Sequence, residues 1–452
     1  MRNHHLASSP KRSPLLKPNF VLLVAGQGLS LFGNMTLRFA MSMWVLDETG
    51  SATIFATLLA VSVVPTIICS PFGGIMADRV NRRTVMVGLD TLSGLVTLAA
   101  TFYFAAASAF NIVAVGALMV TLAVFDSFET PTVQAALPQI VGTADETLLR
   151  RGMAVVNQMQ QLASLLPSFL GGILYAAVGI RPTLVITIAC FSTAAIAECF
   201  LKLSNPRNIQ DQQISALEAN KEQCRNLEHL DSSTPELPAN PPLPTPLDDA
   251  KAAWRFLTHD RPSVLKLMAT ATLLNFFTIG YSGVGFPYMV RNNLGFNAAV
   301  YGTCDGLVGV AGLLGAIVAG AFAAHLSIKR FPVTCLALAA TIIPCGIAFI
   351  LPISNGARLA IIVGTMCCST IAAAFTNLTS IPAIQLATPP ELTGKVLALL
   401  SSFVTAGQPL GQLAYGLAYD RLAPQWPARL SAAGIAIMVV LSARVFIHFV
   451  EK

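Results

Sequence analysis

Apolar runs of membrane-spanning length recur along most of this 452-residue chain. A helix of about 20 apolar residues crosses the hydrocarbon core of a bilayer. Only 11% of the residues are charged, against about 25% in soluble domains. We therefore predict an all-α, multi-pass membrane protein. The twelve candidate transmembrane helices are Phe20–Leu46, Thr53–Ala77, Thr84–Ser108, Ile112–Thr130, Met153–Val178, Pro182–Leu203, Leu265–Val290, Ala298–Ala323, Phe331–Ile353, Leu359–Ser380, Val396–Leu417 and Leu430–Phe449.

One long polar stretch divides these spans six and six. Ser204–Ala253 holds seven prolines and no aromatic residue, a composition that cannot bury a core. We predict an N-terminal tail at 1–19, an N-terminal six-helix bundle at 20–203, a solvated linker at 204–260 and a C-terminal six-helix bundle at 261–452.

The distribution of lysine and arginine predicts the orientation of the spans. Cytoplasmic loops of membrane proteins are enriched in both residues. If the N-terminus is cytoplasmic, the segments on that side hold 21 of the 28 lysines and arginines, and the segments on the other side hold five. We therefore expect a multi-pass protein of the cell membrane with both termini and the linker in the cytoplasm. The net charge of +6 follows this topology and does not indicate a nucleic-acid partner.

The two halves of the chain repeat one another. Gly73–Arg83 recurs in weaker form as Gly320–Arg330, 247 residues later, and Pro131–Gln134 recurs as Pro382–Gln385, 251 residues later. Spans one and seven each carry a polar stripe at helical spacing. The stripes are Gln27, Ser30, Asn34 and Arg38 in span one, and Thr272, Asn275, Thr278 and Ser282 in span seven. Matches at nearly equal offsets indicate a duplicated six-helix unit.

The loop between spans two and three carries a recognisable motif, Gly74-Ile-Met-Ala-Asp78-Arg79-Val-Asn-Arg82-Arg83. It resembles the signature G-x-x-x-D-R-x-G-R-R of the major facilitator superfamily of secondary transporters. Asn81 replaces the usual glycine, and we expect it to keep the turn by adopting positive φ. The resemblance implies twelve transmembrane helices in two six-helix repeats, with a substrate site near the midplane between them.

Shorter motifs resemble one branch of that superfamily more narrowly. Gly26-Gln27, Gly33-Asn34, Thr49-Gly50-Ser51 and Gln408-Pro409-Leu-Gly411 resemble the bacterial branch of macrolide-efflux and enterobactin-exporter proteins. Membership would imply proton-driven export of a hydrophobic or amphipathic small molecule, such as a drug, an antibiotic or a siderophore-like metabolite. Span five departs from the drug–proton antiporters, because Leu166-Pro167 stands where they usually carry Gly-Pro.

The resemblance also implies roles for particular residues. The first and seventh helices of the superfamily line the central cavity, which makes Gln27, Asn34, Arg38, Asn275, Thr278 and Ser282 the candidate substrate-binding residues. The candidate gating motif is Gly74, Asp78, Arg79, Arg82 and Arg83. Asp78 would face the start of span eleven, and the arginines would meet acids on the cytoplasmic side when that side is closed.

Ionisable residues inside spans are functional candidates because they are costly to insert into a bilayer. Asp126, Glu129 and Asp90 are expected near the cytoplasmic ends of their spans, close to the arginines of the motif and far from Arg38. They are candidates for a latch or a proton site. Asp305 is a fourth such acid and a possible partner for Arg38, whose other interpretation is contact with outer lipid headgroups. Glu198 is expected to be an interfacial anchor.

The sequence does not indicate an enzyme, a cofactor or a metal site. It carries no phosphate-binding loop, no His/Cys cluster at metal-ligand spacing and no nucleophile motif. We expect a monomer whose partners are a small-molecule substrate, a coupling proton and the lipid bilayer. Two alternatives remain open at this stage. One is a nutrient importer or uniporter of the same fold, and the other is a non-transporting membrane sensor or scaffold.

Overall fold

A computed structural model describes residues 17–106, 111–141, 146–203, 251, 253–322 and 328–450. Twelve long helices lie in these ranges. They are α1 (Pro18–Thr49), α2 (Ala52–Arg79), α3 (Arg82–Ala106), α4 (Ile112–Val141), α5 (Glu146–Val178), α6 (Ile180–Cys199), α7 (Pro262–Asn293), α8 (Ala298–Ala321), α9 (Phe331–Ala348), α10 (Asn355–Ala387), α11 (Pro390–Arg421) and α12 (Gln425–Val450). By length and composition, eleven of the described helices can cross a membrane. The prediction of an all-α membrane protein is confirmed.

Short polar connections end and restart these helices. Gly50 ends α1 with a left-handed φ of 62°, a conformation that glycine adopts without steric cost. Ser51 then starts α2, because its Oγ accepts a hydrogen bond from the backbone N–H of Ile54 at 3.3 Å. Asn297 starts α8 in the same way by accepting from the N–H of Val300 at 2.9 Å. These caps satisfy donors that the first turn of a helix leaves free.

The helices of each half pack mainly on one another. In the first half, α1 contacts α5 and α6, α2 contacts α4, and α3 contacts α6. In the second half, α7 contacts α11, and α9 contacts both α10 and α12. Between the halves the main contacts are those of α2 with α11 and α5 with α8. We call the face at which α1 begins the N-terminal face and the face at which it ends the opposite face.

Small residues bring the two halves close together near the opposite face. A Cβ added at Gly172 of α5 would lie 2.8 Å from the carbonyl oxygen of Ala298 and 2.9 Å from the Cα of Gly302 in α8. A Cβ at Gly416 of α11 would lie 2.6 Å from the Cβ of Ala56 in α2. Real side chains at these positions would overlap their neighbours, so the glycines permit backbone contact between helices.

Helix α4 is longer than its predicted span. The prediction ended it at Thr130, before the first of two prolines, but the helix continues through Pro131 and Pro138 to Val141. Membrane helices tolerate internal prolines because neighbouring groups compensate for the lost backbone hydrogen bond. The extension changes the depth of every acid on this helix, since Asp126 moves from near an end to the middle.

A segment that precedes the predicted boundary at residue 261 packs against the second half. Residues 253–260 are helical, and Ala253 and Leu257 are fully buried in the core of that half. Their apolar side chains face the packed helices, whereas Arg255 and Asp260 of the same segment are exposed. Most of the predicted linker, 204–250, lies outside the described residues, so its role as a linker stays a prediction.

Candidate functional site

A cavity of about 220 Å³ lies between the two halves. Among the residues that the structure describes, Arg38 of α1 is the one charged residue in its lining. The remaining walls come from α1, α2, α5, α7 and α8. They comprise Met35, Phe39, Ser42, Met43, Phe55, Leu59, Ser164, Pro167, Ser168, Gly283 and Tyr301. The ring of Phe39 stacks on that of Tyr301 with centroids 5.7 Å apart. The cavity is therefore mostly apolar and aromatic, with one cation and a few hydroxyl groups.

Arg38 lies within electrostatic reach of Asp126 on α4. The sequence placed these residues far apart in depth, and that expectation was wrong. At a rise of about 1.5 Å per residue, Arg38 lies roughly 17 Å from the end of α1 at Thr49. Asp126 lies roughly 21 Å from the start of α4 at Ile112 by the same measure. Because α4 extends well beyond residue 130, both residues sit at similar depth.

Asp305 of α8 also lies beside this cavity. Its Oδ2 accepts a hydrogen bond from the Ser168 Oγ at 2.6 Å, and Ser168 itself lines the cavity with Arg38. Ser168 therefore links α5 of the first half to α8 of the second. The predicted pairing of Asp305 with Arg38 stays a prediction.

A second cavity, of about 290 Å³, lies within the C-terminal half. Two predicted substrate residues, Asn275 and Thr278 of α7, line it together with α9, α10 and α11. The Asn275 Nδ2 donates to the carbonyl oxygen of Val404 at 3.3 Å. The third predicted residue, Ser282, donates its hydroxyl proton to the Thr278 carbonyl oxygen at 2.8 Å. Polar groups on α10, such as Thr376 and Asn377, face the same space.

The polar stripe of α1 divides between two environments. Arg38 faces the cavity between the halves, whereas Gln27 is only 1% exposed and lies inside the N-terminal half. The Gln27 Nε2 donates to the Glu129 Oε1 at 2.9 Å, and the Ser30 Oγ donates to the Asp90 Oδ1 at 2.6 Å. Asn34 is buried as well. The prediction that Gln27 lines the substrate cavity is corrected, since its amide contacts a buried acid.

Three acids meet beside Gln27 and Ser30. Asp90 of α3, Glu129 of α4 and Glu198 of α6 are buried, and each offers a carboxylate oxygen within 4.8 Å of the others. Glu198 is fully buried, so the prediction of an interfacial anchor was wrong. It packs against Gly26 of α1, where an added Cβ would lie 3.1 Å from the Glu198 Cγ. The glycine leaves the space in which this side chain is held.

The predicted gating motif is partly described. The surroundings of Gly74 and the side chains of Asp78 and Arg79 are not among those described, and Arg82 is half-buried. Arg83 donates through Nη2 to the carbonyl oxygen of Cys199, the last residue of α6. A cation is favourable there because the C-terminus of a helix carries partial negative charge. The described contacts of Glu129 and Asp90 are with Gln27 and Ser30, so the latch between these two acids and Arg83 is not formed here.

Asn81 does not adopt the expected positive φ, which among the described residues occurs only at glycines. Its Oδ1 instead accepts a hydrogen bond from the backbone N–H of Arg83 at 3.1 Å. An asparagine in this position caps the start of α3, a role for which its short side chain is well suited. The turn between α2 and α3 is therefore built by capping.

An ion pair joins the halves at the opposite face. Arg291 of α7 bonds through Nη2 to the Asp47 Oδ1 of α1. The Tyr175 hydroxyl of α5 donates to the Asp47 Oδ2 at 2.9 Å, and the Asn292 Nδ2 donates to the Gly50 carbonyl oxygen at 3.0 Å. Sequence reasoning missed these residues, since their partners are more than 100 positions away.

Asp420, the penultimate residue of α11, caps the start of α2. Its carboxylate accepts from the Ser51 Oγ at 2.6 Å, the Ala52 N–H at 2.8 Å and the Thr53 N–H at 2.9 Å. The sequence carries a pattern that could have identified Asp420. Gly416-Leu-Ala-Tyr-Asp420-Arg421 repeats the spacing of glycine, aspartate and arginine in Gly74–Arg79.

Replacing Asp420 by alanine should loosen the opposite face. Loss of a helix N-cap costs about 0.5–2 kcal/mol of stability. Asp420 caps α2 only in the conformation in which α2 and α11 touch, so the substitution destabilises that conformation alone. The reporter is a cysteine introduced in the cavity wall by Leu59→Cys. The measurement is the rate at which a water-soluble thiol reagent labels this cysteine in purified protein, after subtraction of the labelling of the native cysteines. We expect faster labelling in Asp420→Ala and an unchanged rate in Arg421→Ala. Equal rates in all three proteins would contradict a role in closure.

Sequence and structure comparisons point to one family. A sequence model described as "Major Facilitator Superfamily" matches residues 23–412 and, in a second alignment, 268–449. Macrolide efflux protein A of Streptococcus pyogenes is 22% identical over 193 residues, which cover 41% of this chain and 45% of the relative. Multidrug efflux pump Tap of Mycolicibacterium fortuitum is 27% identical over 199 residues, covering 43% and 47%. The chain thus matches about half the length of these curated relatives.

Solved structures share the whole fold at low identity. A D-xylose-proton symporter superposes with a TM-score of 0.66 at 14% identity, covering 95% of this chain and 97% of the symporter. A bacterial homologue of the iron transporter ferroportin, in an inward-facing state, superposes with a TM-score of 0.67 at 15% identity, covering 96% and 98%. At such identities the likeness shows the fold alone.

Proposed function

This chain belongs to the Major Facilitator Superfamily of membrane transporters, and we propose that it exports a hydrophobic or amphipathic small molecule, driven by protons. The observation that carries the proposal is the cavity between the halves, in which one arginine stands among aromatic and aliphatic walls. Such a lining suits a ligand with a large apolar surface and one acceptor or anionic group. The efflux function named for both curated relatives supports export.

We propose that the two halves work by alternating access. The substrate enters the cavity from one side, and the contacts on the other side must break before it leaves. We place the N-terminal face in the cytoplasm and the protein in the cell membrane, on the distribution of lysine and arginine. The ion pair of Asp47 with Arg291 and the cap formed by Asp420 would then close the extracellular side.

We assign proton coupling to Asp126 and its attraction to Arg38. An ionised Asp126 attracts the Arg38 guanidinium and offers its own oxygens to a polar donor on the substrate. A proton on Asp126 removes both the charge and that acceptor, so proton and substrate exclude each other at this site, which is the coupling that proton-driven export requires. Asp305, on the far side of the same cavity, would be a second proton-accepting group. The cytoplasmic gate would be Gly74, Asp78, Arg79, Arg82 and Arg83, acting within a monomer.

Efflux measurements test this proposal. Cells that express the protein are loaded with a macrolide or a lipophilic fluorescent dye, and retention is followed with and without a protonophore. We expect the protein to lower retention, the protonophore to abolish the difference, and Asp126→Asn to lose uphill efflux. Glu48→Gln, an exposed acid near the opposite face, is the matched control and should export normally.

Two results would overturn parts of the proposal separately. Export that survives the protonophore would remove proton coupling and leave export intact. Equal retention in expressing and control cells, across macrolides and dyes and with the protein present in the membrane, would remove export of this substrate class.

A further inference from the structure

We infer that the buried acids Asp90, Glu129 and Glu198, together with the Gln27 amide, form a binding site for one hard divalent cation of the calcium class. The site lies inside the N-terminal half and is separate from the cavity that Arg38 lines. The inference does not depend on the proposed export function. It goes against the expectation of no metal site, which considered His and Cys spacing and not carboxylates on different helices.

The first observation is the convergence of four helices on one point. Gln27 comes from α1, Asp90 from α3, Glu129 from α4 and Glu198 from α6. One oxygen of each carboxylate lies within 4.8 Å of the others. Calcium binds oxygen ligands at about 2.3–2.6 Å, and an ion centred among three oxygens at that separation would lie no more than about 2.8 Å from each, so a small inward movement of the side chains brings all three into range. The cluster therefore has the dimensions of a coordination sphere.

The second observation is a set of oxygens that no donor satisfies. The Gln27 Oε1, the Asp90 Oδ2 and both oxygens of Glu198 are buried without a hydrogen-bond partner among the described residues. Gln27 is not one of the acids, and its amide is held at the cluster by the bond from Nε2 to Glu129. Buried polar groups are nearly always satisfied in native proteins. Four unsatisfied atoms at one place call for a ligand.

All four unsatisfied atoms are acceptors, which favours a cation over protons alone. A proton shared between Asp90 and Glu198 would give a donor to one oxygen pair. That one proton would leave the Gln27 carbonyl oxygen and an oxygen of Glu198 without a partner, so satisfying them by protonation alone would take at least one further proton on these acids. A metal ion accepts several oxygen lone pairs at once and also offsets the repulsion between three neighbouring carboxylates. A single metal ion can therefore satisfy more of these buried oxygens than a single proton can.

The donor set indicates the class of ion. Carboxylate and amide oxygens suit hard cations such as calcium, magnesium and manganese, whereas zinc and copper favour nitrogen and sulfur. Magnesium keeps several of its waters, which a fully buried pocket accommodates poorly. A cation here would tie α1, α3, α4 and α6 together and so stabilise the N-terminal half.

Metal binding to the purified full-length protein tests the inference. The protein is stripped with a chelator in detergent and titrated with calcium alone, then with magnesium and with manganese. Bound calcium is measured by equilibrium dialysis, and the unfolding temperature is followed in parallel. We expect one calcium per chain and a rise in unfolding temperature with calcium concentration, because a ligand that binds only the folded state stabilises it.

Variants locate the binding at this cluster. We expect Glu198→Gln and Gln27→Leu each to weaken calcium binding by about tenfold or more, the range seen when a metal site loses part of its support. Asp305→Asn, at a half-buried acid outside the cluster, is the matched control and should bind calcium as the unmodified chain does. Dialysis reads occupancy directly, so a change in stability alone does not obscure the result.

Two outcomes would overturn the inference. One is the absence of stoichiometric calcium, magnesium or manganese at both acidic and neutral pH, with stability that responds to pH only, since protons would then be the occupant. The other is stoichiometric binding that Glu198→Gln and Gln27→Leu leave unchanged, since the ion would then lie elsewhere on the chain.

Discussion

Replacing Gly302 by leucine should abolish transport by preventing closure of the opposite face. At Gly302 an added Cβ would meet the Ser168 carbonyl oxygen and lie 2.9 Å from the Gly172 Cα. The three atoms nearest to that Cβ are all backbone atoms of Ser168 and Gly172, which cannot move aside as a flexible side chain can. Overpacking costs about 1–3 kcal/mol, and a difference of that size shifts a conformational equilibrium by roughly 5- to 150-fold.

The cost falls on one conformation only, which makes the effect measurable. The Gly302→Leu protein should reach the membrane but show rapid labelling of Leu59→Cys and little or no efflux. Gly364→Leu is the control, because a Cβ at this exposed position of α10 meets nothing within 4 Å. It should label and export normally. Efflux near the level of the unmodified chain in Gly302→Leu would mean that close approach of α5 and α8 is not required.

Removing the charge of Arg38 should also have a large effect on transport. Arg38→Ala leaves a cavity with no charged lining residue among those described and leaves Asp126 without the cation that attracts it. An isolated carboxylate in a membrane interior is costly, by about 2.5–3.5 kcal/mol on insertion scales, so Asp126 would hold its proton through the whole cycle. Both substrate binding and coupling should be lost.

Two assays separate these consequences. Substrate binding to purified Arg38→Ala should weaken, and uphill efflux should fall to the level of cells without the protein. Arg38→Lys should restore part of the efflux, because lysine keeps the charge but loses the planar fork of donors. Arg181→Ala, at an exposed arginine that begins α6, is the control for loss of positive charge. Normal efflux in Arg38→Ala would assign Arg38 to lipid headgroups, the other interpretation of its position.

The sequence predicted the helices and their order because the solvent imposes them. A backbone that crosses a bilayer must satisfy its own hydrogen bonds, so an apolar run of sufficient length becomes a helix whatever its neighbours are. Periodicity also placed Asn275 and Thr278 on one face of α7, and both line one cavity. The predicted end of α4 at Thr130 is wrong, since the helix continues through Pro131.

Only the tertiary structure decided which polar residues meet. Gln27 and Glu129 are 102 positions apart, and Ser51 and Asp420 are 369 apart, distances over which periodicity carries no information. Glu198 is the clearest case in which the sequence did not predict the environment of a side chain. Its position near the end of an apolar run suggested a lipid interface, yet a missing side chain at Gly26 lets it turn inward to Asp90 and Glu129. Hydrophobicity determines that a segment enters the membrane, and the packing of neighbouring helices determines which way each polar side chain points.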